Sequence, residues 1–252
     1  MAKINIDNQT YHIDGILFDK DGTLINFRSL WVTWADKLID NIVSVAQLSA
    51  KDKEVLAHSI GFDVNSEKWD PKGPLCIGSL DDLIAILSFH LYQKGMPWNE
   101  AVEIVINTYG KVDKNHHWDK EIQSITGLRH FLDQAKECDV KLGVITSDNH
   151  DQAVQHLNAL HIDSYFGSVI GHDQVERGKP FPDMAELACH QLGIRLDQTI
   201  VVGDSDGDMI LGKKVNAVAS VGIVAEPSIG TDHLINADHI IKSYQDIIIN
   251  KN

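Results

Sequence analysis

Two aspartates, Asp19 and Asp21, stand at the end of the apolar run Gly15-Ile16-Leu17-Phe18, with Lys20 between them and Gly22-Thr23 behind. Other polar groups hold comparable places: Thr146 and Ser147 follow Val144-Ile145, while Gly203-Asp204-Ser205 and then Asp208 follow Val201-Val202. Lys179 lies in the loop Arg177-Gly178-Lys179-Pro180-Phe181-Pro182. Carboxylates such as Asp19 and Asp204 offer hard oxygen ligands to Mg²⁺. A carboxylate can attack a phosphate monoester, itself anionic, only where positive charge neutralises both partners. A bound cation with a nearby lysine supplies that charge, so these residue types suit phosphoryl transfer onto an aspartate.

Such distant residues meet only if the chain gathers several strand ends. From about Glu121 onward helices and strands alternate: a helix with Leu128, Phe131, Leu132 and Ala135 inward, a strand Leu142–Ile145, a helix from about His150, and a strand near Ser168–Ile170. A helix over Asp183–Leu192, a strand Thr199–Val202, a short helix from about Asp208 and a strand Ala219–Ile223 follow. Continuous apolar strands in this alternation predict an α/β parallel sheet covered on both faces. Ligands bind such sheets at the carboxyl ends of the strands, where the acidic residues stand. Ahead of the first core strand, Ile4-Asn5-Ile6 and the turn residues Asp7-Asn8-Gln9 predict a hairpin.

Between residues 26 and 118 the pattern becomes helical. Trp31, Trp34, Ala35, Leu38, Ile39, Ile42 and Val43 recur at the three-and-four spacing of one buried face. Leu80, Leu83, Ile84, Leu87 and Leu91 repeat it, and so do Val102, Val105, Ile106 and Tyr109. The stretch 61–79, rich in Gly, Pro and Asp, is expected to be irregular and to face the active site.

Composition narrows the function. With 252 residues and 43% hydrophobic content the chain has ample material for a core. A net charge of -14, from 22 basic and 36 acidic residues, argues against nucleic acid as a partner. A small anionic substrate stays compatible with it. Three scattered cysteines without a CxxC pair, no charged-then-apolar leader, and no apolar run near the ~20 residues of a membrane span predict a cytoplasmic protein with no membrane partner. Thirteen histidines invite a zinc hypothesis, but none has the accompanying ligand spacing, and His116 and His117 are expected at the surface or a hinge.

The four groups, in this order, resemble the motifs of the haloacid dehalogenase superfamily: "DKDGT" the first, Thr146 or Ser147 the second, Lys179 in "GKPFP" the third, and "GDSDGD" the fourth. The resemblance runs from Asp19 to Asp208 and is nearest to phosphoglycolate-phosphatase-like and β-phosphoglucomutase-like members. It implies a Rossmann-like catalytic core from residues 1–25 and 119–252, with residues 26–118 inserted as a helical cap of the C1 type. It also implies Mg²⁺ held by Asp19, Asp204 and the backbone carbonyl of Asp21, and a small phosphorylated molecule as substrate.

In that scheme Asp19 is the nucleophile. Asp21 protonates the leaving alcohol and then deprotonates the attacking water. The Thr146 hydroxyl, the Ser147 amide and Lys179 bind phosphate oxygens, and Asp208 acts from behind Asp204 or a metal-bound water. P-type ion pumps resemble the first motif but carry threonine in the place of Asp21, which gives them a persistent phosphoenzyme. An aspartate there favours prompt hydrolysis and points to a phosphatase. The alternatives are a mutase, which passes the phosphoryl group on while excluding water, and a phosphorylatable signalling module. Lys20, where many relatives carry an apolar residue, is expected to point away from Asp19 as a structural or solvent-facing lysine, and Asp206 to be solvated. Arg28 and Lys72 are further candidates for contact with the substrate.

Overall fold

The computed structural model describes residues 1–251, the side chain of Asp119 excepted. It falls into two compact units, one made of Met1–Phe27 with Ile122–Asn252 and the other of Arg28–Glu121.

The chain opens with β1 (Ala2–Ile6) and β2 (Gln9–Ile13), antiparallel with Ile6 opposite Gln9. Asp7, at φ 51°, takes the left-handed conformation that such a two-residue turn needs. β3 (Gly15–Phe18) follows with every residue buried, as a strand enclosed on both faces must be.

The unit Arg28–Glu121 starts with a π-helical turn, Arg28–Val32, that runs into α1 (Thr33–Val45). It continues through α2 (Ala50–Ser59), a short hairpin of β4 (Phe62–Asp63) and β5 (Lys68–Trp69), and α3 (Pro74–Ile77). It ends with α4 (Leu80–Gln93), α5 (Trp98–Asn115) and α6 (Trp118–Glu121). Ser49 with Asp52 and Ser79 with Asp82 form the capping boxes that start α2 and α4. Trp34 lies wholly in the core and Trp31 packs edge-on against it at 4.9 Å. One helix was not among the expected elements, and one expectation needs correcting. Helix α2 has no clear apolar stripe, since only Leu56 and Ala57 of it are buried, and its capping box was the sequence sign to follow. The stretch 61–79 is not irregular throughout, because it holds the hairpin and α3.

The other unit resumes with α7 (Leu128–Glu137), β6 (Lys141–Ile145), α8 (His150–Ala159), β7 (Ser168–Ile170) and α9 (Asp183–Leu192). After these come β8 (Thr199–Gly203), α10 (Asp206–Lys214), β9 (Ala219–Ile223), β10 (His239–Ile241) and β11 (Ile247–Asn250). Six strands form one parallel sheet in the order β10-β9-β8-β3-β6-β7. β11 instead pairs antiparallel with β1 in a separate three-stranded sheet. One face of the large sheet packs Leu17, Ile145 and Ile170 on Met184, Ala188 and Leu211. Phe18 meets Phe131 and Phe166 edge-on, at 6.2 and 6.1 Å.

The order of the sheet decides where chemistry can occur. From β3 the chain goes out through β6 and β7 on one side, and later through β8, β9 and β10 on the other. The crevice between outgoing connections therefore opens beyond β3 and its neighbours. The register places Phe18 beside Val202 and Val144, so the residues following each of these strands emerge at one edge.

Candidate active site

Asp19 leaves β3 with its N–H still donating to the Val202 carbonyl at 2.8 Å, so the sheet ladder runs up to the site. Its carboxylate Oδ1 accepts from Lys179 Nζ at 2.5 Å, and the same ammonium donates to Asp208 Oδ1 at 2.8 Å. The side chains of Asp19 and Lys179 are each 9% exposed, and that of Asp208 1%. These are charge-assisted bonds almost out of reach of water, where they are strongest. Asp208 is fixed by its local fold. It is the third residue of α10, where its other oxygen accepts from the Ser205 hydroxyl at 2.6 Å and the Ser205 N–H at 3.2 Å. Asp208 thus steadies Lys179.

Asp204 ends β8. Its backbone carbonyl accepts from His233 Nε2 at 3.0 Å, and since a carbonyl has no proton to give, that ring nitrogen carries one. Gly22 crosses directly over the Asp204 carboxylate at φ 79°. A Cβ built there would lie 1.9 Å from Asp204 Oδ2, so only glycine lets the first motif approach so closely. Gly203 is similarly constrained, as its Cβ would stand 2.3 Å from Asp208 Cγ.

Burial and like charge load this corner with carboxylate acidity that the protein alone does not neutralise. Burial pushes Asp19 up to about 6, with Asp208 and Asp21 adding to the rise and Lys179 opposing it. Asp204 is raised well above the usual carboxylate range, first by burial and then by Asp19 and Asp208. Burial would lower Lys179, but Asp19 and Asp208 outweigh it and hold the ammonium firmly protonated. One lysine among clustered carboxylates leaves a deficit of positive charge, and the missing side chain of Gly22 leaves the Asp204 oxygens uncovered where the backbone passes close to them. This donor set fits a hard divalent cation.

Thr146 is buried at the end of β6, beside β3, and its Oγ1 accepts from the Asp148 N–H at 3.2 Å. Ser147 follows it, half-buried. Asp206 is half-buried: its two oxygens accept from the N–H and Nδ2 of Asn236 at 2.9 and 2.8 Å, tying the segment after β9 to the start of α10. Lys20 is a structural lysine and not a solvent-facing one, fully buried and paired with Asp21 and Asp148. Tyr244, buried, donates to the Thr23 carbonyl at 3.1 Å and supports the first motif from below. His233, Asn236 and Tyr244 carry no motif and were not among the expected site residues.

Within Arg28–Glu121, Arg28 lies over the Trp69 ring at 5.2 Å and Lys72 is exposed. His116 is buried, not at the surface, with its ring against Trp118 at 4.0 Å and its Nε2 3.2 Å from Glu121 Oε2. No described helix is long and apolar enough to cross a membrane.

The chain is similar to pyrophosphatase PpaX of Halalkalibacterium halodurans, 30% identical over 151 residues that cover 59% of this chain and 69% of the relative. PpaX of Listeria monocytogenes is 24% identical over 241 residues, covering 95% of this chain and 96% of the relative. Among solved structures, a predicted phosphoglycolate phosphatase from Haemophilus somnus superimposes with a TM-score of 0.71 at 19% identity, covering 93% of this chain and 96% of that one. The β-phosphoglucomutase of Clostridium difficile gives 0.60 at 19% identity, covering 92% of each chain. At these identities the likeness of structure speaks for the fold. The family model for haloacid dehalogenase-like hydrolases matches residues 81–221, beginning after the first motif. Since that match takes in more than half of the chain, and the parallel sheet is the one its solved neighbours share, the chain belongs to the haloacid dehalogenase-like hydrolases.

Proposed function

We propose that the protein is a Mg²⁺-dependent phosphatase that hydrolyses a small phosphorylated molecule through an aspartyl-phosphate on Asp19. The observation that carries this reading is the Lys179 bridge, which holds a strand-end carboxylate and a buried second carboxylate on one ammonium. An Asp19 oxygen attacks phosphorus, and the bond from phosphorus to the leaving oxygen breaks as that oxygen takes a proton from Asp21. Water then attacks the aspartyl-phosphate while the Asp21 carboxylate takes its proton. Inorganic phosphate leaves, and the Asp19 carboxylate is restored. Lys179 offsets charge on Asp19 and the phosphoryl oxygens, while the Thr146 hydroxyl and the Ser147 amide donate to those oxygens. Asp19, Asp204 and the backbone carbonyl of Asp21 would hold Mg²⁺, which supplies neutralising charge where carboxylate meets phosphate. The helical unit, inserted between the first and second motifs, is the cap in this scheme.

The test is phosphate release from a panel of phosphomonoesters, with pyrophosphate included because the relatives above are pyrophosphatases. Release that needs Mg²⁺ and disappears in Asp19→Asn supports the phosphatase. A stable phosphoryl adduct without release would instead support a mutase or a signalling role.

Cation binding should also be visible as proton release. Metal-free Asp19 holds its proton below about 6, and burial with its acidic neighbours raises the Asp204 carboxyl well above the usual range, yet the cation needs both as carboxylates. Calorimetric titration with Mg²⁺ at pH 6, in two buffers of different ionisation enthalpy, is expected to show proton release that declines as the pH is raised. Identical heats in both buffers at pH 6 would contradict it.

A further inference from the structure

Lys20 occupies a place that the proposed chemistry leaves unexplained. Its side chain is fully buried. Its ammonium bonds to Asp21 Oδ1 and lies 2.9 Å from Asp148 Oδ2 and 3.1 Å from His156 Nδ1. An ammonium carries three N–H donors; here it hydrogen-bonds Asp21 and His156 and pairs by charge with Asp148 Oδ2. For His156 Nδ1 to accept, it must be unprotonated, so the ring is neutral with its proton on the other nitrogen.

These partners come from three separate elements. Asp21 belongs to the first motif. Asp148 follows the second, where its N–H donates to Thr146 Oγ1 and its carbonyl accepts from the His172 N–H at 2.8 Å. His156 stands buried on α8. Ligand atoms of Asp21, Asp148 and His156 lie within 4.8 Å of one another, a spacing fit for a metal ion. The chain fills the position with its own ammonium. A lysine cannot dissociate as an ion can, so the anchor on Asp21 is permanent.

We infer that Lys20, held by Asp148 and His156, is a positioning residue that fixes the Asp21 carboxylate for its two proton transfers. The inference rests on the phosphatase reading above. With Oδ1 anchored on Lys20, the proton moves on and off through Oδ2: it goes to the leaving oxygen in the first step and is regained from water in the second. The same ammonium ties that carboxylate to the Thr146 loop, so the general acid/base and the phosphate-binding hydroxyl keep one mutual register.

Lys20→Met removes the ammonium at similar length. Because it leaves Asp148 buried with less compensation, Lys20→Met/Asp148→Asn serves as a second variant in which that charge is gone as well. With p-nitrophenyl phosphate the leaving group needs no proton, so misplacing Asp21 should slow only hydrolysis of the phosphoenzyme. The expected result in rapid-quench experiments on the full chain is a kcat lower by about 10- to 100-fold, a similar or lower KM, and accumulation of an acid-stable, base-labile phosphoenzyme. With an alkyl phosphate, kcat/KM should fall as well. Wild-type kcat with no phosphoenzyme in a folded variant, alongside an inactive Asp19→Asn, would overturn the role of Lys20 and leave the Asp19 reading intact. An active Asp19→Asn would overturn the latter instead.

Discussion

Asp19→Asn is expected to lower kcat by about 10⁴-fold or more and at the same time to make the metal-free protein more stable at neutral pH. The amide keeps the shape of the side chain but cannot act as the attacking oxygen. The gain in stability follows from the raised pKa of Asp19. Burial lifts the Asp19 carboxyl to about 6 in the folded protein, against 3.8 for an ordinary aspartate. Between those values the folded state binds more protons than the unfolded one, so stability falls as pH rises through that window and stays lower above it. An asparagine has no proton to lose, and Lys179 keeps Asp208 as its partner. The gain should be of order 1–3 kcal/mol above pH 7 and vanish below about pH 4. Urea midpoints in chelator at pH 4 and pH 7.5, beside turnover with Mg²⁺, measure both effects. Turnover within tenfold of wild type would refute the nucleophile, and equal midpoints at pH 7.5 would refute the electrostatic argument.

Lys179→Met should act in the opposite direction on stability while also reducing turnover. It removes the ammonium that lies 2.5 Å from Asp19 and 2.8 Å from Asp208 and leaves the two carboxylates buried together. Breaking one side of a buried pair typically costs about 3–5 kcal/mol, because the remaining charge has neither water nor a partner. Turnover should drop by about 10²- to 10³-fold, the scale seen when one fixed charge-stabilising donor is lost. Lys179 itself stays protonated, since its raised pKa keeps its stabilisation in place until strong alkali. The pH dependence therefore belongs to Asp19: without Lys179, which opposes the rise, this carboxyl takes up its proton at a pH above 6, and the deficit of the variant should shrink as the pH falls toward 6. Mg²⁺ should partly restore stability at pH 7.5 by supplying charge to the same oxygens. A urea midpoint equal to that of wild type at pH 7.5 would show that the bridge contributes nothing net.

The parallel sheet was legible because its strands are enclosed on both faces. Ile16-Leu17-Phe18 and Ile200-Val201-Val202 carry no polar residue to leave their pattern ambiguous, and each is followed within two residues by an aspartate. Strands with one exposed face were harder to find. β10, with exposed Ile240 between two buried residues, and β11, with Ile248 exposed, were absent from the expected elements. Their short alternating stretches become strands only where β9 and β1 provide an edge for pairing.

What the sequence by itself determined is the class of fold and the residue types at the strand ends, because hydrophobic period and strand-end chemistry are properties of neighbouring residues. Only the tertiary structure decided how those residues are held. Lys20 meets His156, which is 136 positions away, and Asp206 meets Asn236 across 30. A lysine in the run Phe18-Asp19-Lys20-Asp21 has the same sequence whether it faces water or closes a buried cluster. The choice was made by Asp148 and His156, which the fold brings close enough to satisfy an ammonium that water no longer reaches.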